Sequence, residues 1–593
     1  MRFLSSLIGI SLCVFTYAQK PFYFIHDHGR VQIDTLTLDG IEDFGMNRFV
    51  VNLGNHGSPQ FNLKPEIEDL ISNDYSSLSF LRGHQFFRYH VYKPIVDAKY
   101  VIGRAQEQHF SLVHSQNVSK NVNYSIGLDK INSKGLYQNQ ATNNTDIYLN
   151  SYGTGLFKNR YDFDLTFNYI NAAAVLNGGL EDDSTFINDT LDLQNRALLD
   201  VNLQNAYQEL RRWNGVFGHS YKILNQLDSA QKGYTIALLN RFEFQQNSRL
   251  FYDSILNTSF YDRILVDSLL TNETIRYQST DGYLGLKFGS YGNSDLILDG
   301  GIQSSYNTYT QSNLDTFRWD IEGKLNGLFI WQDLIIQTKL AYLINDAYAN
   351  HDYNVDLEVW KSIGKFDLIG KAYLSNERPQ IDLLKYSGNN VSWNNSFQKY
   401  QIRHYELGLN YSGKWNSALK VNYFDVIDPI YFGYDKTPYQ IDGVSQLIRS
   451  SLELENSQSE KWDLKGEFHY QYLGGYNVFR LPSILSAVSA AFKFKAFKHK
   501  MNLAIGTKIT YFNKYSSKSF DPVSGQYFIA ADDKVGNYPY ADIYLKGRVQ
   551  RATFFIMMSN PQQGLLGYNY FYFPGYPAND RFYRIGVSWL FLN

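Results

Sequence analysis

The chain has 593 residues, including 48 Tyr, 41 Phe, 8 Trp, 43 Gly and 13 Pro, and a formal net charge of -2 from 55 basic and 57 acidic residues. So many aromatic side chains need a buried or membrane setting, which excludes a disordered chain, and the balanced charge lacks the basic field that nucleic acid would require. Past the first 18 residues there is no run of about 20 apolar residues, so a helical membrane protein is excluded too.

Met1-Arg2, the apolar stretch Phe3 to Tyr17, and Thr16 and Ala18 at the -3 and -1 positions read as a secretory signal peptide, 1–18, cleaved after Ala18. The one cysteine, Cys13, lies inside it, so the mature chain has no disulfide, thiolate chemistry or cysteine-ligated metal. Residues 19–90 have no clean period, carry Ile41-Glu42-Asp43 and glycines at 54, 57 and 83, and read as an N-terminal periplasmic or lumen-filling segment.

From 91 to 593 the pattern is strands alone. Candidate strands start near 94, 107, 121, 144, 159, 204, 233, 281, 294, 315, 330, 352, 364, 402, 415, 446, 460, 487, 500, 541 and 581, and 541–559 is long enough for two. The stretch 193–210 has a pattern that fits helix and strand equally. Val122, Tyr124, Ile126 and Leu128 oppose Asn123, Ser125 and Gly127. Tyr161, Phe163, Leu165, Phe167 and Tyr169 oppose Arg160, Asp162, Asp164, Thr166 and Asn168. Phe317, Trp319, Ile321, Gly323 and Leu325 oppose Arg318, Asp320, Glu322, Lys324 and Asn326. Period 2 sends successive side chains to opposite faces. Short connections fall at 154–158, 291–293, near Gly327, and at 361–363, 413–414 and 456–459. Long ones fall at 171–203, 248–280, 376–400, 427–445, 472–486 and 513–540, and 218–232 is longer than a turn needs.

A soluble sandwich would share the period, but its strands are usually about 5–6 residues long. Stretches of 11–14 residues, with aromatics near their ends, suit a tilted membrane strand and its interfacial girdles. Strands in lipid leave no open edge, so the expected fold is all-β, a closed transmembrane antiparallel barrel of about 20 strands (range 18–22), with long extracellular loops and short periplasmic turns. The last stretch, with Tyr583, Ile585, Val587, Trp589 and Phe591 on one face, is the candidate barrel-closing strand. Candidate lumen-lining residues are Arg160, Asp162, Asp164, Arg318, Asp320, Glu322, Lys324, Lys465, Glu467, Lys546, Arg548 and Arg584, whose mixed signs predict no strong ion selectivity.

Histidines carry little. His26, Asp27 and His28 are a surface pair more readily than a metal site. His109 and His114, near Ser111 and Ser115, show no sign of a convergent triad. Lys498-His499-Lys500 reads as a basic periplasmic turn. Neither a phosphate-binding loop, nor a dinucleotide fingerprint, nor HExxH occurs, so the reading is no enzyme, no cofactor and no metal.

Several pieces together resemble the "putative porin" family of outer-membrane barrels from Bacteroidetes. They are Asn52-Leu-Gly-Asn-His-Gly57, Tyr100 to Phe110, His114-Ser-Gln-Asn117, Gly135-Leu-Tyr-Gln-Asn139, Trp393-Asn-Asn-Ser-Phe397 and Arg480-Leu-Pro482. Phe520-Asp-Pro522, Gly525-Gln-Tyr-Phe528, Tyr538-Pro with Asp542, Pro574-Gly-Tyr-Pro577 and the terminal strand complete the set. The resemblance implies a Gram-negative outer-membrane location, contact with outer-membrane lipid and lipopolysaccharide, and assembly by the barrel assembly machinery. Two functions then compete. The first is a porin-like channel for passive diffusion of small hydrophilic solutes. The alternative is a structural or assembly component of an outer-membrane protein complex, with a plugged barrel as its platform and outer-membrane proteins as partners. An energised transporter fares worse, because residues 19–90 are short for a plug domain.

Overall fold

The computed structural model describes residues 49–66, 91, 93–188, 195–228, 231–312, 314–345, 351–456, 459–498, 500–530 and 533–592. The signal peptide, His26, Asp27, His28, Ile41-Glu42-Asp43, Gly83 and His499 lie outside them.

Twenty-two strands form one closed antiparallel barrel, from Ile95–Gly103 to Phe582–Leu592. Closure is direct: the first and last strands pair from Ile95↔Leu592 to Gly103↔Arg584. With every strand paired on both sides, the backbone polar groups at membrane depth are satisfied, as lipid demands. The long stretch near the end is two strands, Tyr540–Val549 and Ala552–Ser559.

Period 2 places the faces. Along Tyr161–Val175, Asp162, Asp164, Thr166 and Asn168 are buried, while Leu165 and Phe167 are each 39% exposed on the outer wall. Tyr583, Ile585, Val587, Trp589 and Phe591 are exposed in the last strand, and Arg584 between them is buried.

Several strands are longer than the expected 11–14 residues. Tyr207–Leu227, Gly233–Asp253 and Thr271–Tyr291 have 21 residues each. Such a strand is about 70 Å long and, at a tilt near 40°, stands about 50 Å tall, twice the ~25 Å apolar band. Its outer half therefore rises out of the lipid, and the pattern changes there. On the outward face of Thr271–Tyr291, Leu284, Leu286 and Phe288 give way to Gln278, Arg276, Thr274 and Asn272. The inward face of 271–280 carries only Ile275 and Tyr277 among Thr271, Glu273 and Ser279, too sparse an alternation to read, which is why the sequence pattern starts this strand only at 281. Likewise Tyr207–Leu227 takes up most of the connection 218–232. The short connection expected near Gly327 is also corrected: Gly327 lies inside Leu314–Trp331. Its missing Cβ would sit 2.8 Å from the Thr338 hydroxyl, so the glycine serves close cross-strand approach rather than a turn.

The apolar core is not in the barrel wall. It lies at the mouth, where Phe49, Leu53 and Leu63 of the N-terminal segment join Phe186, Val201, Phe520, Phe571 and Phe573 from the long loops. The strands add only their outermost inward residues, such as Ala174, Phe251, Leu485 and Phe512. The barrel is set by its wall in an outer membrane.

Candidate functional site

Inside the mouth, Val50–Asn52 and Gln60–Asn62 form a small antiparallel hairpin. Its tip turns through Gly54 (φ +89°) and Gly57 (φ +82°), a left-handed backbone that favours glycine. A Cβ at Gly54 would lie 2.9 Å from the Pro577 carbonyl oxygen, so this turn also needs glycine to sit beneath the loop above it. Phe61 stacks obliquely on Tyr527 (5.1 Å between centroids) and edge-on to Phe573 (6.1 Å).

The tip is held by one wall. Asn55 Nδ2 donates to the Gln140 carbonyl (2.7 Å), Thr142 Oγ1 to the His56 carbonyl (2.6 Å) and Asn144 Nδ2 to the Gly57 carbonyl (2.9 Å). His56 Nδ1 donates to Glu107 Oε1 (2.9 Å), and Arg584 grips the same carboxylate through Nε (3.0 Å) and Nη2 (2.9 Å). The base is held nearly opposite on the ring. There Gln471 Nε2 donates to the Leu63 carbonyl (3.1 Å), and Arg449 donates to the Pro65 carbonyl (2.7 Å) and Glu66 Oε2 (3.2 Å). The hairpin therefore spans the lumen and exchanges hydrogen bonds with both sides.

Glu107 belongs to the short outer turn between the first two strands. Burial raises its pKa, but the Arg584 guanidinium and the His56 hydrogen bond outweigh burial and hold it down at about 2. Burial pushes His56 below the usual histidine range, against the pull of Glu107. A neutral imidazole, an ionised carboxylate and a guanidinium thus share one buried site over the barrel seam.

The loops complete the closure. Arg249, near the outer end of its strand, donates to the carbonyls of Pro522 and Val523 (2.6 Å each) and to Gln208 Oε1 (2.9 Å), pinning loop 513–539 across the mouth. Arg196 pairs with Asp580 (3.2 Å) and lies 4.0 Å over the Phe186 ring, joining loop 176–206 to loop 560–581. On the periplasmic side of this closure is a cavity of about 700 Å³, lined by Asp162, Asp164, Lys222, Arg241, Lys287 and Asp299 among others.

The sequence-predicted charges fall into three groups. Asp162 and Asp164 border that cavity, whereas Arg160 is exposed on the adjoining turn. Arg318 pairs with Asp320 (2.9 Å), Lys324 with Glu322 (3.1 Å) and Lys465 with Glu455 (3.1 Å), while Glu467 lies 3.8 Å from His469. Lys546 is buried, Arg548 donates to the Gln550 carbonyl (3.0 Å), and Arg584 holds Glu107. His109 contacts Asp129 (2.9 Å), His114 contacts Tyr124 (3.1 Å), and Ser115 bonds Asn123, so these histidines and serines do not converge. Among the described residues no group of three His, Cys, Asp or Glu could hold a metal ion.

Sequence reading missed the anchors Glu107, Arg249, Arg449 and Gln471. A partial signal existed: the pieces 52–57, 100–110, 135–139 and 574–577 that carried the family resemblance meet at the hairpin tip. Nothing in their spacing says that they meet.

No curated protein matches the chain in sequence. Solved structures do match in fold. A mutant of the ferric enterobactin receptor PfeA from Pseudomonas aeruginosa has a TM-score of 0.59 at 10% identity, covering 85% of this chain and 81% of that one. The siderophore receptor PiuA from Acinetobacter baumannii has 0.56 at 10%, covering 85% and 82%. The FrpB iron transporter from Neisseria meningitidis has 0.58 at 12%, covering 89% and 83%. At such identities the likeness shows the fold alone. Even so, these relatives in fold are receptors and a transporter rather than diffusion porins, and they overturn the expected porin-like channel for passive diffusion. The family model described as "Putative porin" matches residues 26–593, and the chain belongs to that family.

Proposed function

We propose that the protein is a plugged outer-membrane barrel acting as a platform, a structural or assembly component of an outer-membrane protein complex. The observation that carries this reading is the filled mouth. Barrels of 16–18 strands leave an aqueous channel, whereas 22-stranded outer-membrane transporters have a plugged lumen. Here the hairpin is hydrogen-bonded to both walls beneath a packed crown of loops. In this reading residues 49–66 are the plug, the loops present the binding surface, and the buried charges of the wall hold the plug and the strand register. Lipopolysaccharide surrounds the outer rim, and the barrel assembly machinery reads the aromatic last strand. Planar-bilayer recording tests it. The intact protein is expected to be silent, deletion of 49–66 to give steady ohmic steps, and affinity purification from membranes to retain a stoichiometric partner. Ohmic steps from the intact protein would overturn the reading.

A second reading, gated uptake of a specific ligand, is favoured by the fold shared with siderophore receptors and an iron transporter. Saturable quenching of tryptophan fluorescence by a ferric siderophore would support it. A silent barrel with a stable protein partner and no such quenching would return the weight to the platform.

A further inference from the structure

The outer wall carries a row of cations on one side of the ring. Along the ladder of paired neighbours, Lys130 of Val122–Ser133 faces Thr145, Thr145 faces Asn171, and Asn171 faces Arg211. Arg211 faces Ser248, and Ser248 faces Arg276. All six share the outward parity, that of the exposed Ile126, Ile147, Phe167, Trp213, Phe244 and Leu284 on the same strands. Lys130 donates to Asn143 and to Thr145 Oγ1 (2.7 Å), neither of them charged. Arg211 is exposed and grips Glu209 through Nε (2.9 Å) and Nη2 (2.8 Å). Arg276 is exposed and in ion-pair contact with no carboxylate among the described residues.

The row climbs out of the lipid. The outward residues one step beneath it are Leu128, Ile147, Tyr169 and Trp213, and then Gln246 and Gln278. Its first four members therefore sit directly on the apolar band, whereas Arg276 stands above a level that is already polar. Strand tilt explains the climb. With strands about 4.8 Å apart and tilted near 40°, a ladder row rises about 3 Å per strand, or about 15 Å from Lys130 to Arg276. This is also the sector of the 21-residue strands, where the wall stands tallest. Tyr169 and Trp213 meet at 4.2 Å below Arg211, and Tyr207 and Tyr252 at 6.3 Å above it. Guanidinium and ammonium groups suit phosphate, and the amides, hydroxyls and flat rings around them suit sugars. Elsewhere on the ring the outward Arg403 faces Asp425 (4.0 Å) and is compensated.

We propose that this row is a binding site for the phosphorylated sugar headgroup of an outer-leaflet glycolipid, with Lys130, Arg211 and Arg276 taking its phosphates. The face is continuous with the lipid-facing band, so what stands against it is the headgroup layer of the lipids whose acyl chains cover Phe167 and Phe244. Cations on such a face complement an anionic headgroup. Height separates the two kinds of anionic lipid. A phospholipid headgroup layer is about 5–7 Å deep, which reaches Lys130 but not Arg276, about 15 Å higher. A headgroup built of several phosphorylated sugars spans the whole row. The site goes beyond both readings of the mouth and depends on neither.

The test uses the full-length protein, assembled in the outer membrane, purified in mild detergent and shown by heat-modifiable mobility to be folded. Native mass spectrometry titrates it with a lipopolysaccharide of defined structure (lipid A and phosphorylated inner-core sugars), with the same lipid after dephosphorylation, and with phosphatidylglycerol. A cation beside a charged membrane surface contributes roughly fivefold in binding. Lys130→Gln combined with Arg276→Gln should therefore weaken binding of the intact glycolipid about 25-fold, while Arg403→Gln should change it less than about twofold. The dephosphorylated lipid and phosphatidylglycerol should bind the native protein at least about tenfold more weakly. If the double variant does not assemble, Arg276→Gln alone, at an exposed position, should lose about fivefold. Unchanged binding by an assembled variant, an equal loss in Arg403→Gln, or equal binding of either control lipid would overturn the site. So would a protein partner that the double variant loses while its glycolipid binding stays intact.

Discussion

Replacing Glu107 by Gln tests whether the buried ion pair over the seam holds the hairpin in the lumen. Its carboxylate is depressed from 4.5 to about 2, with Arg584 and His56 the stabilising neighbours. That shift corresponds to about 3 kcal/mol favouring the ionised, paired form, and removing one partner of a buried pair costs about 3–5 kcal/mol by comparison with other proteins. Glu107 and Arg584 both belong to the wall and stay paired when the hairpin leaves, so opening loses only the His56 hydrogen bond to the charged carboxylate, and Glu107→Gln should lower the free energy of local opening by about 1.5–3 kcal/mol, a roughly 10- to 100-fold rise in the open fraction. The assay is maleimide labelling of Ser58→Cys, a buried position in the hairpin turn, in a chain whose one cysteine, Cys13, is replaced by Ser. The labelling rate at neutral pH should rise about 10- to 100-fold. The pH sign follows from the same shift. A depressed carboxylate contributes its stabilisation fully above about 4.5 and loses it as pH falls toward 2, so the two proteins should converge only in strong acid. A rise of less than about threefold, in a protein still assembled by heat-modifiable mobility, would refute the role given to this pair.

Two further outcomes are expected. Leu165→Arg places a charge on the lipid face at mid-strand and should cost about 2–4 kcal/mol in folding into liposomes, whereas Leu165→Phe should fold normally; equal yields would refute the face assignment. Asp183 accepts from the Gly575 N–H (3.1 Å), and burial raises its carboxyl to about 6. Its raised pKa means that the protonated form favours the docked loop, so docking should weaken as pH rises from about 4 to 6, by at most about 3 kcal/mol. Proteolysis of loop 176–206 measured across that range should show the trend, and Asp183→Asn should make it flat.

The barrel was legible because lipid imposes a simple rule on sequence. Each strand crossing the membrane must be apolar on one face, and each backbone group must be paired, so alternation such as Phe163-Leu165-Phe167 against Asp162-Asp164-Thr166 is enough to announce a closed sheet. Legibility ended where lipid ends. The stretch Asn272-Glu273-Thr274 is strand, but water bathes its outward side and loops cover its inward side, so it lacks the apolar rhythm. The inward charges were readable as a polar face, yet period 2 is blind to whether that face meets water, an opposite charge or a plug. Arg584 illustrates the difference. Its parity placed it on the inner face, but only the fold brings it to Glu107, 477 positions away, and both to His56.

An all-β barrel of the outer membrane follows from the order of residues, because the constraint there is local and repeats every two positions. Whether that barrel is a channel depends on the packing of distant segments. A filled mouth rests on contacts such as Arg449 to Pro65 and Arg249 to Val523, hundreds of residues apart. Such contacts follow from where the closed ring carries each strand end, and no local pattern records them.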